Sequence, residues 1–425
     1  MFISKLLNST KSYALANLFF AVVNAFSSVL ILKFFGLRVY GYITYFNSFD
    51  TIIDYFGGHS RSMFEYVSAD SKNQLKVINS FAALQLLLGF FSIVIFCFLT
   101  FFQQDPIAIK VCQMFIFLSP GKSYLSFFRI LSKISGSLKW YTIIVIFLSL
   151  LNTISVFVSH LYFDFFIYLI IRSTFLLFST ICLFFIYSIS INNLYEKLFF
   201  SLKKLKSKSK NLLIYSFITL FTVVFDKLLI KHFFGVEVLG VFSLAYLAYN
   251  MFFIFGGSVI GGHFKKLTNC ISDTYFKVLN NSILWITLLI IFVELVIIML
   301  NKYSFFIDYK ISIPYMIWFI PASILSIFVQ ISYIYLISKK YLHLFNRSFF
   351  YVSSIYLITA LFFSIIDDNC IWFAILFLLH QATLIIILSI KFEFLANIFK
   401  KSISYSKITI ISFTIFQIFF KYLTQ

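Results

Sequence analysis

FFGLRVYG, residues 34–41, returns as FFGVEVLG at residues 233–240, and FGG at 56–58 returns as FGG at 255–257. Both matches keep one offset, 199, with no gap between them. Across 25 aligned positions eight residues are identical, and Gly36, Gly41, Gly57 and Gly58 fall on Gly235, Gly240, Gly256 and Gly257. The chain has only 13 glycines, so four coincidences at a fixed offset mark an internal duplication. Glycine at these positions permits close helix approach or a turn between helices. The same offset carries the first apolar run onto the seventh and the third onto the ninth. The fourth and tenth runs each hold a proline, Pro120 and Pro321, followed by Leu-Ser at 125–126 and 325–326.

Composition sets the medium in which this duplication folds. Hydrophobic residues make up 61% of the 425 positions and charged residues 12%, against about 25% charged in a soluble domain. The apolar runs are long and continuous rather than alternating, which excludes a barrel. Runs of about 20 residues suffice to cross a bilayer. They occur at 13–32, 39–58, 77–102, 107–130, 140–160, 163–189, 211–232, 237–260, 278–300, 312–338, 348–366 and 371–392. The reading is an all-α polytopic membrane protein of about 12 transmembrane helices. Its domains are an N-terminal six-helix bundle at 1–190, a basic linker at 191–210, a C-terminal six-helix bundle at 211–395 and a basic tail at 396–425. In the tail, 408–423 reads as an interfacial helix or a thirteenth span. Six is even, so the halves share one orientation and their symmetry axis runs along the membrane normal.

A net charge of +19 raises nucleic acid as a partner, but the basic residues sit in short segments between apolar runs. With the N-terminus in the cytoplasm, 24 of the 34 Lys and Arg residues fall on the inner side. Six fall at outer span ends: Lys33, Arg38, Lys110, Lys231, Lys302 and Lys310. That bias expects a cytoplasmic N-terminus and no nucleic-acid role. The first apolar run, 13–32, exceeds a signal-peptide core and reads as a retained helix. Cys97, Cys112, Cys182, Cys270 and Cys370 form no CxxC, so neither a disulfide framework, a metal site nor a cofactor is expected.

Charge at bilayer depth is costly and by default functional. Asp50 and Asp54, four apart on one helix face, align with Tyr249 and Phe253; Lys122 aligns with Pro321. Arg172, Asp226, Lys227 and Glu294 also lack charged counterparts. The helical frame is repeated and the charges are not, which points to function rather than bundle construction.

The opening helix, the FFG-x-x-x-x-G element leading into the second span, and the same element opening the second half together resemble the multidrug/oligosaccharidyl-lipid/polysaccharide (MOP) exporter superfamily. Within it the chain is similar to the Wzx-type O-antigen and polysaccharide flippases of bacterial inner membranes, over residues 10 to 395. The resemblance implies a MATE-like fold and an alternating-access flippase. Its cargo would be undecaprenyl-diphosphate-linked oligosaccharide, moved to the periplasmic leaflet with a proton or sodium ion as coupling partner. Membrane lipids and other polysaccharide-assembly proteins are the further partners it implies.

On that reading Arg172 offers the fork geometry suited to a diphosphate, against a bland alternative of a buried ion pair with a second-span acid. Lys122 follows Pro120 and Gly121 in a PGKS sequence. A nucleotide loop needs glycine where Ile116 stands, so Lys122 reads as a cavity-facing cation or a pairing partner. Asp50 and Asp54 read as ion-coupling carboxylates or as charge balance for the two cations. Asp226 and Lys227 are neighbours pointing about 100° apart; Asp226 and Glu294 join the ion-coupling set, while Lys227, a third substrate-binding candidate, has the alternative of snorkelling outward. His380 reads as a hydrogen-bonded packing residue.

Two rival functions remain at this stage. A drug/cation antiporter of the same superfamily would favour an acidic cavity. A membrane-embedded glycan polymerase or acyltransferase would need a large outer loop or a histidine constellation, and the sequence has neither; no enzyme activity is expected.

Overall fold

The computed structural model describes residues 10–70, 74–135, 138–162, 164–186, 224–262, 275, 278–284, 311–339, 341–367 and 369–400. The linker at 191–210, Glu294 and the run at 408–423 lie outside the described residues. All regular structure among the described residues is helical. The helices are α1 (Thr10–Asp70), α2 (Gln74–Phe101), α3 (Pro106–Ser135), α4 (Leu138–Leu161), α5 (Phe165–Ile186), α6 (224–234), α7 (Val236–Gly262), α8 (Ile313–Ser338), α9 (Leu342–Ile366), α10 (Ile371–Lys391) and α11 (393–400). By length and composition, eight helical segments among the described residues suffice to cross a membrane. α3 is not one of the eight, because Lys110, Gln113, Pro120 and Lys122 dilute its apolar run.

α1 holds the first two expected spans. The expected loop between them is a single residue: Gly36, at φ 84 and ψ 169, is the one non-helical position inside α1. That backbone region is essentially reserved for glycine, so one residue bends the chain where a longer connection was expected. Gly235, its counterpart, also has positive φ, 92, and separates α6 from α7.

Other helix ends follow from ordinary capping chemistry. Asp105 accepts from the backbone N–H of Ile107 at 2.9 Å, and Pro106 opens α3. Asp164 accepts from the N–H of Phe166 at 2.8 Å and starts α5 in the same way. Between α9 and α10, Asn369 accepts from Ile371 N–H, and the Trp372 indole donates to Asp367 at 2.6 Å. Pro120 and Pro321 lie inside continuous helices, so each removes one backbone bond without ending its helix.

The chain divides into two compact units, Met1–Gly240 and Val241–Gln425, with the division inside the first turns of α7. In unit 1, α1 packs on α2, α3 and α4, while α3 and α4 both pack on α5. Large apolar side chains such as Phe90, Phe98, Phe101 and Phe178 are exposed on its surface, as a lipid-facing wall requires. Its interior carries small hydroxyls, among them Ser27, Ser149, Ser155 and Ser173, on closely packed helices. In unit 2, α8, α9 and α10 pack on one another. An aromatic cluster there joins Phe242, Tyr246 and Tyr249 of α7 to Phe319 of α8 and Phe377 of α10, with ring centroids 5.0–6.3 Å apart.

Within unit 1 the two copies of the glycine motif meet. A Cβ on Gly41 would overlap the Val236 carbonyl oxygen, and one on Gly240 would stand 2.7 Å from the Leu37 carbonyl oxygen. Residues 37 and 236, like 41 and 240, are related by the offset of the repeat, so the contact is reciprocal. Lys231 Nζ lies 4.7 Å over the Tyr45 ring beside it.

Candidate functional site

The polar centre of unit 1 begins on the second arm of α1. Asn47 and Asp50 are three residues apart and share a helix face. Both accept from the Lys122 ammonium, at 2.6 Å to Asn47 Oδ1 and 3.0 Å to Asp50 Oδ2. The Asp50 side chain is 8% exposed and that of Lys122 27%. The ammonium also lies 4.8 Å over the Phe115 ring. Gly121, just before Lys122, lets α3 close on α5: a Cβ there would stand 2.8 Å from Leu176 Cγ. That close crossing brings Lys122 and Arg172 to one cavity.

The cavity measures about 280 Å³. Its polar wall consists of Lys122, Arg172, Asn24, Asn152 and Tyr141, and its apolar wall includes Phe20 and Phe175. No acidic side chain lines it among the described residues. Arg172 donates to the Tyr168 hydroxyl at 2.5 Å, and Tyr168 donates to Asn152 Oδ1 at 3.0 Å. Asn152 then donates to Asn24 Oδ1 at 3.0 Å, and Asn24 donates to the Phe20 carbonyl at 2.9 Å. The relay runs one way across α5, α4 and α1. Among the described residues no carboxylate lies within ion-pair distance of Arg172. The ion pair weighed for Arg172 in the sequence is made by Lys122 instead.

The other sequence candidates are distributed as follows. Asp54 lies on α1, but its side chain is outside the described residues, as is Glu294. Asp226 and Lys227 are both buried on α6, at 4% and 8% exposure. The Lys227 side chain lies buried rather than extended outward, with Val224, Leu229 and Ile230 buried beside it and Phe225, Leu228 and Lys231 half-buried. His380 is buried, its Nε2 3.0 Å from Ser353 Oγ, packed against Phe349 and Tyr356. No group of three or more metal-ligating side chains occurs among the described residues. Sequence reasoning passed over Asn24, Asn47, Asn152, Tyr168 and the buried Gln85–Ser123 hydrogen bond. The three asparagines inside apolar runs were the available signal.

A second polar cluster stands where α3 begins. Asp105 Oδ2 accepts from Arg38 at 2.5 Å and from the Tyr42 hydroxyl at 2.6 Å. Partial burial would raise its carboxyl pKa, but the bonds from Tyr42, Arg38 and the Ile107 amide outweigh that and hold it below the ordinary value.

No family model matches the chain, and no curated protein matches its sequence. Solved structures do. The lipid II flippase MurJ in an inward closed conformation is similar at TM-score 0.61 and 17% identity, covering 97% of this chain and 99% of that one. The MATE multidrug transporter DinF-BH matches at TM-score 0.61 and 14% identity, over 91% of this chain and 95% of that one. A MOP superfamily transporter from Pyrococcus furiosus, described as having a binding pocket of reverse polarity, matches at TM-score 0.58 and 11% identity, over 91% and 96%. The chain shares the polytopic helical fold of these proteins, which are described as two transporters and a flippase.

Proposed function

We propose that the chain is a Wzx-type flippase of a bacterial inner membrane. It moves an undecaprenyl-diphosphate-linked oligosaccharide to the periplasmic leaflet by alternating access of two six-helix halves, residues 1–190 and 211–395, with the N-terminus in the cytoplasm. The observation that carries this reading is Arg172. A guanidinium at membrane depth is costly and marks a pathway or partner site by default. No carboxylate among the described residues is in reach, and one of its five donors is used on Tyr168. A phosphate oxyanion completes that set in bidentate fashion. Lys122 in the same wall adds a second cation, and the absence of an acid from the described lining disfavours a cationic drug. The fold supports the reading in general terms, since MurJ is a flippase of lipid II.

Lys227 is the third substrate-binding candidate of this reading. Asp50, Asp54, Asp226 and Glu294 are its ion-coupling candidates. Other polysaccharide-assembly proteins and membrane lipids are the partners it calls for.

The test is binding to the purified full chain in detergent of a synthetic polyprenyl-diphosphate oligosaccharide, with tetraphenylphosphonium, a lipophilic cation, as the competing cargo. The glycolipid should bind, and Arg172→Gln should weaken it at least tenfold while leaving the melting temperature within a few degrees. Binding of tetraphenylphosphonium with indifference to the glycolipid would transfer the chain to the drug-export class.

A further inference from the structure

We infer that the end of unit 2 where α9 begins and α10 finishes is a binding site for an anionic phospholipid, whose phosphate sits between Arg347 and Lys391 while its acyl chains lie along the exposed faces of the two helices. The inference goes beyond the transport reading and does not depend on the cargo.

The two helix ends lie level. Tyr341 precedes the first turn of α9, Phe392 follows the last turn of α10, and their rings are 6.0 Å apart. α8 ends beside them, since the backbone N–H groups of Lys339 and Tyr341 donate to Tyr335 and Leu336 in its last turn. Lys339, Arg347 and Lys391 are exposed here against one acid, Glu393. None of the four forms an ion pair among the described residues. The opposite end of α9 and α10, residues 361–378, holds no Lys or Arg.

Lys391, the last residue of α10, reaches across the seam between the helices. Its ammonium donates to Ser348 Oγ of α9 at 3.0 Å and has two further N–H donors. Arg347, next to Ser348, lies with its guanidinium 5.8 Å from the Tyr351 ring centroid. That contact uses the guanidinium face and leaves its N–H fork for a phosphate oxyanion. Lys391 adds a second cation from the neighbouring helix.

Below these cations the wall turns from charge to hydrocarbon. Arg347 and Tyr351 lead at helical spacing into Ile355, Ile358 and Phe362, all exposed on one face of α9. α10 exposes Ile386 and Ile390 just before Lys391. Tyrosine is at home at headgroup level and the isoleucines in the acyl region. An anionic phospholipid meets both parts at once. A free phosphate meets only the cations, and a zwitterionic lipid brings its own ammonium to a cationic pair.

The experiment uses the full chain, delipidated in a neutral detergent, with dioleoyl phosphatidylglycerol and dioleoyl phosphatidylcholine, which share acyl chains, read by native mass spectrometry. Phosphatidylglycerol should bind at least about tenfold tighter, with the preference shrinking as salt is raised. Glycerol 3-phosphate, a headgroup without chains, should not displace it at equal concentration. Equal affinity for the two lipids, or displacement by glycerol 3-phosphate, overturns the inference. The basic linker at 191–210 is another place for an anionic headgroup, so the site is located with photoactivatable phosphatidylglycerol and peptide mapping. Cross-links should fall on residues 343–362 and 386–391; cross-links confined to other segments overturn it. A polyprenyl-diphosphate oligosaccharide that displaces the phosphatidylglycerol from these peptides with higher affinity would assign the site to the cargo instead. Arg347→Gln and Lys391→Gln should each lower the preference about fivefold and leave phosphatidylcholine affinity unchanged. Full preference in the double variant also refutes the site. The mapping needs no variant, so a substitution that fails to fold leaves the decision intact.

Discussion

The reciprocal glycine crossing gives the most direct check on the folded chain. Gly240→Ala places a methyl group 2.7 Å from the Leu37 carbonyl oxygen and 3.5 Å from the Gly41 nitrogen. Ordinary contact begins at 3.4 Å, so the two segments must part by about 0.7 Å. Both neighbours are backbone atoms inside helices and cannot rotate aside. The cost is that of overpacking, about 1–3 kcal/mol. Gly41→Ala meets the Val236 carbonyl oxygen more closely and should cost more. Gly36→Ala is the control of opposite kind: its Cβ meets nothing within 4 Å, and the penalty comes from φ 84 alone, about 1–3 kcal/mol. Thermal unfolding of the three variants in one detergent gives the order. The double variant Gly41→Ala/Gly240→Ala should fall short of the sum of the singles, because once one methyl group has parted the crossing the second finds room. Gly36→Ala combined with Gly240→Ala should be closer to additive. Wild-type melting temperatures for both crossing variants, or strict additivity of that pair, would refute the reciprocal contact.

The charges give two more checks. The depressed carboxyl of Asp105 contributes stability that is present above the unfolded carboxylate pKa, about 3.9, and is lost as pH falls through its lower folded value; wild-type minus Asp105→Asn melting curves should be flat above about pH 5 and converge only below about pH 4. Removing one partner of the Asp50–Lys122 pair should cost about 3–5 kcal/mol, whereas Asp50→Asn with Lys122→Met together should cost markedly less; equal losses in chemical denaturation would show the pair to be an ordinary stabilising contact.

The parts of this molecule that are legible in the sequence are those where chemistry leaves little choice. A backbone at φ 84 or 92 needs glycine, and a scarce glycine at a fixed offset announces itself. A charge in an apolar run is equally conspicuous, so Asp50, Lys122 and Arg172 stand out from the sequence alone. Which cation meets which acid is not legible. It depends on how closely α3 crosses α1 and α5, and Gly121 sets that crossing through a contact with Leu176 that no sequence pattern announces. The relay from Arg172 is hidden for another reason. Tyr168 and Asn152 are neutral residues that draw no notice singly, and their alignment arises from separate helices. The turn that glycine permits between the first two spans is made at Gly36 alone, by its dihedral angles, with helix on either side.

The duplicated frame also shows why the unit 1 charges call for a functional cause. Tyr249 occupies the position equivalent to Asp50, and its hydroxyl lies 3.0 Å from Ser326 Oγ. Tyr246 stands for Asn47 and Pro321 for Lys122. Unit 2 closes its interior there with rings, each well-placed pair adding about 0.5–1.5 kcal/mol beyond burial. The repeated helices thus pack at these positions without an ion pair. The Asp50–Lys122 pair carries a desolvation cost that the rings avoid, and Arg172 carries more, with no carboxylate among the described residues to offset it. If packing were the only requirement, the aromatic solution in the second copy would serve equally in the first. On the proposed reading the charges answer to the cargo: an oxyanion in the cavity would supply a counter-charge to Arg172 and compete with Asp50 for Lys122.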